Sequence, residues 1–295
     1  MAKIAAELER AVARKNLHGL AGTAQGWILA TGPGFVVSDV LCTSGPQDRA
    51  FEEEHSHVSI AMVVAGSFQY RNSLGKVLLT PGSLLLGDAG KSFECGHEHG
   101  VGDRCIAFKF DVDYFETIAK DAGLRPEFVA PRVPALRELA PVFAKACAGL
   151  TTGESIDLDW EELGLELASQ VLRITDGSQR KAPEYSPSAV ARVSRVVRVI
   201  EQQPYGKLTI GDLARTAHLS PYHFLRVFQE QTGLTPHQFI LRTRLRNAAT
   251  GLAQGDRKII DLALDCGFED VSNFNRAYRK EFGTTPRAFR TELRA

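Results

Sequence analysis

An internal repeat near the C-terminus constrains the fold more than any other feature of the sequence. The segment DLARTAHLSPYHFLRVFQEQTGLTP at 212–236 aligns with DLALDCGFEDVSNFNRAYRKEFGTTP at 261–286, and the second copy has one extra residue in its centre. Self-similarity of this kind indicates that one supersecondary unit occurs twice. FILRTRLRNAATGLA at 239–253 lies between the copies and is typical of an amphipathic helix long enough to hold them apart.

Each copy has the signals of a helix, a turn and a second helix. Ser220 followed by Pro221 is an N-cap with proline at the first helical position. In the second copy, carboxylates and a hydroxyl at Glu269, Asp270 and Ser272 favour a helix N-terminus. The second helices should end at Gly233 and Gly283. Each second helix has an apolar face that should be buried, with Phe224, Val227 and Phe228 in copy one and Phe274, Ala277 and Tyr278 in copy two. Cys266, in the turn of copy two, should also be buried.

The charge is distributed unevenly along the 295 residues, a length that suggests about two domains. Residues 1–185 hold 18 Lys and Arg against 25 Asp and Glu, whereas residues 186–295 hold 17 against 10. An acidic front and a basic rear predict different partners for the two domains. The basic part favours an anionic partner such as nucleic acid.

The N-terminal half has the pattern of an antiparallel β domain. Short β-rich runs separated by Gly, Pro and Asn extend from Trp27 to Phe110 and predict a barrel or a sandwich. Amphipathic helices are predicted at 135–148 and 157–174, and a polar linker rich in Gly, Ser and Pro at 176–188. Ile4, Leu8 and Val12 predict a short amphipathic helix at the start.

Several features indicate a cytoplasmic chain. The five cysteines are scattered and form no CxxC pair, which is typical of reduced thiols. The first residues contain no long apolar stretch of a secretory signal, and no run of eighteen apolar residues occurs anywhere. We therefore expect neither export nor a membrane span.

The rear segment, over roughly 195–291, closely resembles the DNA-binding domain of the AraC/XylS family of bacterial transcription regulators. The resemblance is carried by motifs in a fixed order: SPYHFLRVF at 220–228, GLTP at 233–236, RLRNA at 244–248, IIDLA at 259–263, GF at 267–268, SNFNRAY at 272–278 and FGTTP at 282–286. It implies two helix-turn-helix motifs whose recognition helices meet successive major grooves about 34 Å apart. Promoter DNA and RNA polymerase are the implied partners, and the implied role is that of an activator or a repressor of transcription.

The resemblance also implies which side chains face the bases. They are the exposed residues near the start of each second helix: Tyr222, Leu225 and Arg226 in copy one, and Val271, Ser272, Asn273 and Arg276 in copy two. Either arginine could bind guanine or hold a phosphate, and Asn273 could pair with adenine. Leu225 and Val271 could touch only a thymine methyl.

The front strands resemble the cupin-like barrel that many family members carry as an effector-sensing domain. His55 and His57 match the His-x-His pair of a metal-binding cupin. The glutamate position falls at Ala61 or Met62, and the third histidine position falls near Phe93. Two of the four usual ligands are therefore missing.

The stretch ECGHEHGVGDRC, residues 94–105, offers replacement ligands. If the segment were extended, the side chains of Cys95, His97 and His99 would project to the same side of it. Cys105 is a further candidate ligand at the end of the segment. With His55 and His57 they are candidates for an effector site or a zinc-type metal site. Alternatively, the segment is a polar loop, its histidines bond a carboxylate such as Asp103, or its cysteines are redox thiols. A small organic effector and no ligand at all also remain open.

The sequence thus predicts an α+β multidomain protein: a cupin-like sensing and dimerisation domain with flanking helices at 1–175, the linker, and an all-α DNA-binding domain with two helix-turn-helix motifs at 189–295. The apolar faces of the two middle helices could form a homodimer interface or pack on the barrel. An effector-responsive regulator is the leading hypothesis. A metal-dependent cupin enzyme and a regulator controlled only by abundance are the alternatives. No GxSxG or phosphate-loop motif occurs, so we expect no enzyme and no required cofactor.

Overall fold

A computed structural model of the chain describes residues 2–152, 158–176, 185–255 and 257–293. It contains two compact units. The sheet-rich unit comprises Ile4–Leu136 and Asp159–Ala191, and the helical unit comprises Met1–Lys3, Arg137–Leu158 and Arg192–Ala295. The predicted class, a β-rich N-terminal part and an all-helical C-terminal part, is confirmed.

The strands of the sheet-rich unit form two antiparallel sheets within the described residues. In chain order they are β1 (Ala24–Gly32), β2 (Phe35–Cys42), β3 (Phe51–Glu54), β4 (Val58–Gly66), β5 (Phe68–Asn72), β6 (Gly75–Leu79), β7 (Leu84–Gly87), β8 (Ser92–Gly96), β9 (Asp103–Phe110) and β10 (Arg132–Val133). One sheet has the order β1-β2-β9-β4-β7-β10, and the other has the order β3-β8-β5-β6.

The first helix, α1 (Ala2–Leu17), is held on the sheet-rich unit by apolar contacts and by ion pairs. Ile4 and Leu8 are buried, which confirms the predicted amphipathic face. Arg104 donates two hydrogen bonds to the buried Asp39 carboxylate, at 2.8 and 2.7 Å, and also pairs with Glu7 of α1. The bidentate pair with Asp39 fixes the orientation of the Arg104 guanidinium. The contact of this fixed guanidinium with Glu7 then helps to hold α1 in place.

Two further helices cover the phenylalanines of β9. The helix α2 (Val112–Ala122) buries Phe115, and α4 is the segment Trp160–Thr175. Trp160 lies against Phe108 with ring centroids 6.1 Å apart. Gly164 faces both Phe108 and Phe110, and a Cβ there would lie 3.4 Å from Phe108. The helix predicted at 157–174 therefore packs on its own sheets, one of the two expected arrangements.

The helices of the second unit reproduce the sequence repeat. In chain order they are α3 (Ala140–Thr152), α5 (Pro187–Gln202), α6 (Ile210–Thr216), α7 (Pro221–Thr232), α8 (Pro236–Ala253), α9 (Ile259–Asp265), α10 (Val271–Phe282) and α11 (Pro286–Glu292). Of these, α5 belongs to this unit from Arg192 onward. The pairs α6–α7 and α9–α10 are the two predicted helix-turn-helix motifs. Gly233 and Gly283 end the second helix of each pair in the left-handed conformation, as predicted.

The turn inside each motif requires one left-handed residue. The left-handed residue differs between the two copies. It is His218, with φ 52°, in the first turn and Gly267, with φ 77°, at the matching place in the second. A Cβ at Gly267 would lie 3.2 Å from the backbone of Tyr205. Both the left-handed conformation and the close backbone of Tyr205 therefore favour glycine in the second turn.

The core of the second motif extends to α3. Ala144 and Ala148 of α3 belong to the same buried cluster as Leu245, Phe274 and Tyr278. Lys145 also pairs with Glu292 at 2.9 Å. Residues 137–158, which the sequence analysis placed in the sensing domain, thus belong to the helical unit. Small alanines on this face of α3 let α8 and α10 approach it.

The predicted linker at 176–188 falls mostly on residues 177–184, which lie outside the described residues, and α5 begins at Pro187. In the part of the chain that the structure describes, no helix is both long and apolar enough to cross a bilayer.

We expect Gly267→Ala to lower the free energy of unfolding of the helical unit by about 1–2 kcal/mol, because an L-residue is strained in the left-handed region. Gly255→Ala is the matched control, since nothing lies within 4 Å of its added Cβ. Urea denaturation of both variants measures the difference. Equal unfolding free energies would contradict the strained-turn explanation.

Candidate DNA-binding surface and buried histidine–cysteine cluster

The second helix of the first motif, α7, separates a buried face from an exposed one. Phe224, Val227 and Phe228 are buried, as predicted. Tyr222 is 80% exposed and Leu225 is 37% exposed. Arg226 is also exposed and has Glu230 3.9 Å away on the next turn. The predicted contact residues of this copy therefore share the free face of α7.

The second helix of the second motif, α10, is more basic on its free face. Its N-cap Asp270 accepts a hydrogen bond from the Asn273 amide at 2.7 Å, so the helix begins at Val271. Ser272, Asn273 and Arg276 are exposed, and Val271 is partly exposed. Phe274 and Tyr278 are buried, as predicted. The four predicted contact residues again share one end of the helix.

A groove of about 730 Å³ runs beside Arg276. Its lining residues come from the start of α9, from the length of α10 and from the start of α11. They are Ile259, Val271, Asn275, Arg276, Arg279, Lys280, Thr285, Pro286 and Arg287, of which the arginines and the lysine are cations. The sequence analysis missed Arg279, Lys280 and Arg287. Arg279 and Lys280 follow Arg276 by three and four residues, so helical spacing alone would have placed them beside it.

Arg244 of α8 fixes the turn of the second motif. Its guanidinium donates to three carbonyl oxygens, those of Pro204 at 2.7 Å, Gly267 at 3.0 Å and Gly206 at 3.1 Å. The side chain of Asn247, one turn further along, donates to the Tyr205 hydroxyl at 2.6 Å. Arg244 and Asn247 of the RLRNA motif, which carries the family resemblance, therefore hold neighbouring loop segments in place.

The structure does not bring His55 and His57 together as metal ligands. They lie in the segment before β4, outside any strand, so their side chains do not follow the alternation of an extended strand. His55 is buried, its Nε2 is hydrogen-bonded to the Tyr70 hydroxyl at 2.9 Å, and its ring stacks on Phe93 with centroids 4.0 Å apart. His57 lies at the surface, 3.6 Å from an Asp111 oxygen. The aromatic ring of Phe93 stands where the cupin resemblance expects the third histidine.

The segment 94–105 is part strand and part loop. Cys95 lies in β8, which ends at Gly96, and residues 97–102 form a loop before β9. Gly66 has φ 75° and lets this loop approach β4, since a Cβ there would lie 2.3 Å from the Gly102 oxygen. The predicted alternation of residues 95, 97 and 99 therefore fails beyond Gly96. His99 lies with its Nε2 3.8 Å from a Glu98 oxygen.

His97 turns inward and meets a carboxylate and thiols. Its Nε2 donates to Asp103 Oδ1 at 2.6 Å, and Cys105 Sγ donates to Asp103 Oδ2 at 3.3 Å. The expected alternative in which a histidine bonds Asp103 is thus present. Potential ligand atoms of Cys42, His97 and Asp103 all lie within 4.8 Å of one another. Cys42 was not singled out in the sequence, because its proximity depends on strand pairing.

Burial and hydrogen bonding set the ionisation of this cluster. Burial disfavours the imidazolium, but hydrogen bonds to Asp103 and Cys42 outweigh it and raise the pKa of His97 to about 10. Burial, reinforced by the Asp103 carboxylate, raises the pKa of the Cys95 and Cys105 thiols. Raised thiol pKa values disfavour the reactive thiolate, which argues against the redox interpretation of these two cysteines.

Comparisons with known proteins agree with the two motifs. A family model described as a helix-turn-helix domain matches residues 213–292. The probable transcription factor PqrA of Proteus vulgaris is 35% identical over 83 residues, which are 28% of this chain and 68% of PqrA. The chain belongs to the AraC/XylS family. The family resemblance read from the sequence is therefore confirmed.

Other relatives share the same region with this AraC/XylS member. The HTH-type transcriptional regulator ArgR of Pseudomonas aeruginosa is 30% identical over 159 residues, 50% of this chain and 48% of ArgR. The chain spans less than half the length of the first curated relatives that it matches. Among solved structures, the DNA-binding domain of AdpA in complex with a target DNA is 26% identical with a TM-score of 0.34, and the match covers 35% of this chain and 93% of that domain.

We expect His55 to make the sheet-rich unit less stable in acid. Burial, helped by Lys109, lowers its pKa to about 4, so between pH 6.5 and 4 the unfolded chain binds a proton that the folded chain excludes. The free energy of unfolding should fall as pH falls through this window, by up to about 3 kcal/mol.

Denaturation midpoints of the wild type, His55→Gln and the surface control His57→Gln across this pH range measure the effect. His55→Gln should lose part of the pH dependence, while His57→Gln should keep it. The same slope in all three proteins would show that His55 does not titrate as stated.

Proposed function

We propose that the chain is a sequence-specific DNA-binding transcription regulator of the bacterial cytoplasm, with residues 189–295 as its DNA-binding domain. The single observation that carries this proposal is the duplicated helix-turn-helix with exposed polar and basic side chains at the start of each second helix. Membership of the AraC/XylS family supports it, because the relatives reported above are named as transcription factors or regulators.

The two recognition helices carry different exposed side chains and should therefore make different contacts with DNA. In α10, Arg276 and Asn273 carry hydrogen-bond donors that suit guanine and adenine edges, and the cations beside the groove suit phosphates. In α7, Tyr222 and Leu225 offer apolar contact, and Arg226 is partly compensated by Glu230. We propose that the second motif carries more of the polar readout and of the phosphate attraction.

The remaining parts of the proposal concern regulation. The sheet-rich unit would sense an effector, and the linker at 176–188 would transmit its binding as a change in DNA affinity. A homodimer would match paired half-sites, and RNA polymerase would be the partner at the promoter. The buried cluster in the sheet-rich unit, with its charged and polar groups, supports a sensing role for that unit.

Selection of bound duplexes from a random pool, using the full chain, tests the proposal. We expect enrichment of sites that contain two elements about 34 Å apart, one for each recognition helix. Affinity for the selected site should fall steeply as salt rises, because bound phosphates release counterions. A pool that shows no enrichment at moderate salt would refute the proposed function.

Arg276→Ala should weaken binding to the selected site by about 1–3 kcal/mol if Arg276 reads a base, with relaxed preference at one position only. If Arg276 holds a phosphate instead, binding to all sequences should weaken and the salt slope should fall by about 1. Arg125→Ala, an exposed arginine of the sheet-rich unit, is the charge-matched control. Fluorescence anisotropy at several salt concentrations distinguishes the outcomes, and unchanged affinity would exclude both roles.

A further inference from the structure

Strand pairing brings together three side chains that are far apart in sequence. Cys42 ends β2, Asp103 begins β9, and these two residues are direct cross-strand partners. His97 reaches them from the loop that follows β8. All three are nearly excluded from solvent, with 3%, 4% and 5% exposure for Cys42, His97 and Asp103.

The three side chains form a mixed donor set. They offer a sulfur, an imidazole nitrogen and a carboxylate oxygen, and these atoms lie within 4.8 Å of one another. Zinc bonds of about 2.0–2.3 Å place tetrahedral ligand atoms about 3.4–3.6 Å apart. Small side-chain adjustments, chiefly an opening of the 2.6 Å contact between His97 and Asp103, would therefore suffice to seat an ion.

The charge and the surroundings also suit a divalent cation. A thiolate from Cys42 and the carboxylate of Asp103 together balance two positive charges in a region where an uncompensated charge is costly. Phe68 stacks on His97 with centroids 5.7 Å apart and keeps the imidazole in place. Three protein donors leave the fourth position of a tetrahedral ion to a further ligand such as water.

We propose that Cys42, His97 and Asp103 bind one divalent transition-metal ion of the zinc class. Sulfur and imidazole donors select such ions over magnesium or calcium, which prefer oxygen ligands. Cys105 is not one of these three residues; its thiol donates to Asp103 Oδ2 at 3.3 Å and so holds the carboxylate in place. This site differs from the cupin set, because neither His55 nor His57 takes part in it.

The position of the site gives the ion a structural consequence. An ion there would tie the loop 97–102 to the ends of β2 and β9. Gly102 of this loop faces α1, and a Cβ on it would lie 3.0 Å from Leu8. The neighbouring Arg104 joins β9 to Asp39 and to Glu7 of α1. Metal binding should therefore order the contact between the loop and α1.

Titration of the reduced full chain with Co²⁺, as a spectroscopic stand-in for zinc, tests the site. We expect one ion per chain, visible d–d bands of tetrahedral cobalt and a near-ultraviolet band from thiolate-to-metal charge transfer. Cys42→Ser should remove or reduce that band. His97→Gln and Asp103→Asn should each weaken affinity about tenfold or more. His57→Gln and Cys147→Ser are controls, a surface histidine and a thiol of the helical unit, and should titrate like the wild type.

Hydrogen exchange of the wild-type chain, with and without Zn²⁺, locates the ion without any substitution. Slower exchange is expected at 40–44 and 96–104. Absence of a thiolate band, an unaltered band in folded Cys42→Ser, or protection centred on 55–57 instead would overturn the proposal. The site does not depend on the proposed DNA-binding function, because every readout is metal binding. Failure to select DNA would leave the site standing, and failure to bind metal would leave DNA recognition standing.

Discussion

The geometry of the second helix-turn-helix depends on one guanidinium. Arg244 donates to the carbonyl oxygens of Pro204, Gly206 and Gly267, and so joins α8 both to the loop before the first motif and to the turn of the second. Backbone carbonyls at a loop and at a sharp turn lack helical partners, so one planar group with several donors satisfies them together. A side chain on the central helix thus links elements of both motifs.

The helical fold could be predicted almost entirely from local signals. The cap at Ser220, the glycines at 233 and 283 and the buried face of each second helix are short-range features, and the structure has them where the sequence puts them. The left-handed residue in the first turn is harder to predict from the sequence, because it is His218, whereas the second copy has Gly267 at the matching place. The surroundings of α3 could not be predicted, since an apolar face does not reveal its partner.

The buried cluster shows where sequence reasoning ends. His97 and Cys105 were singled out because they lie close together in the chain, and both do meet Asp103. Cys42 lies 61 residues from Asp103 and joins the group only through the register of β2 and β9. His55 and His57 fit a known pattern, but that pattern assumes an extended strand, and here they stand outside one. Motif spacing is informative only when the backbone conformation that it assumes is present.

The packing of α3 has a practical consequence for anyone who divides this chain into pieces. A fragment that starts at the apparent linker would carry both DNA-binding motifs and yet lack the helix that covers Leu245 and Phe274. Its newly bared apolar surface would favour aggregation. The boundary of an independently folding unit therefore does not coincide with the boundary of the repeat. The helix α3 is a non-contiguous part of the DNA-binding module, supplied from the middle of the chain.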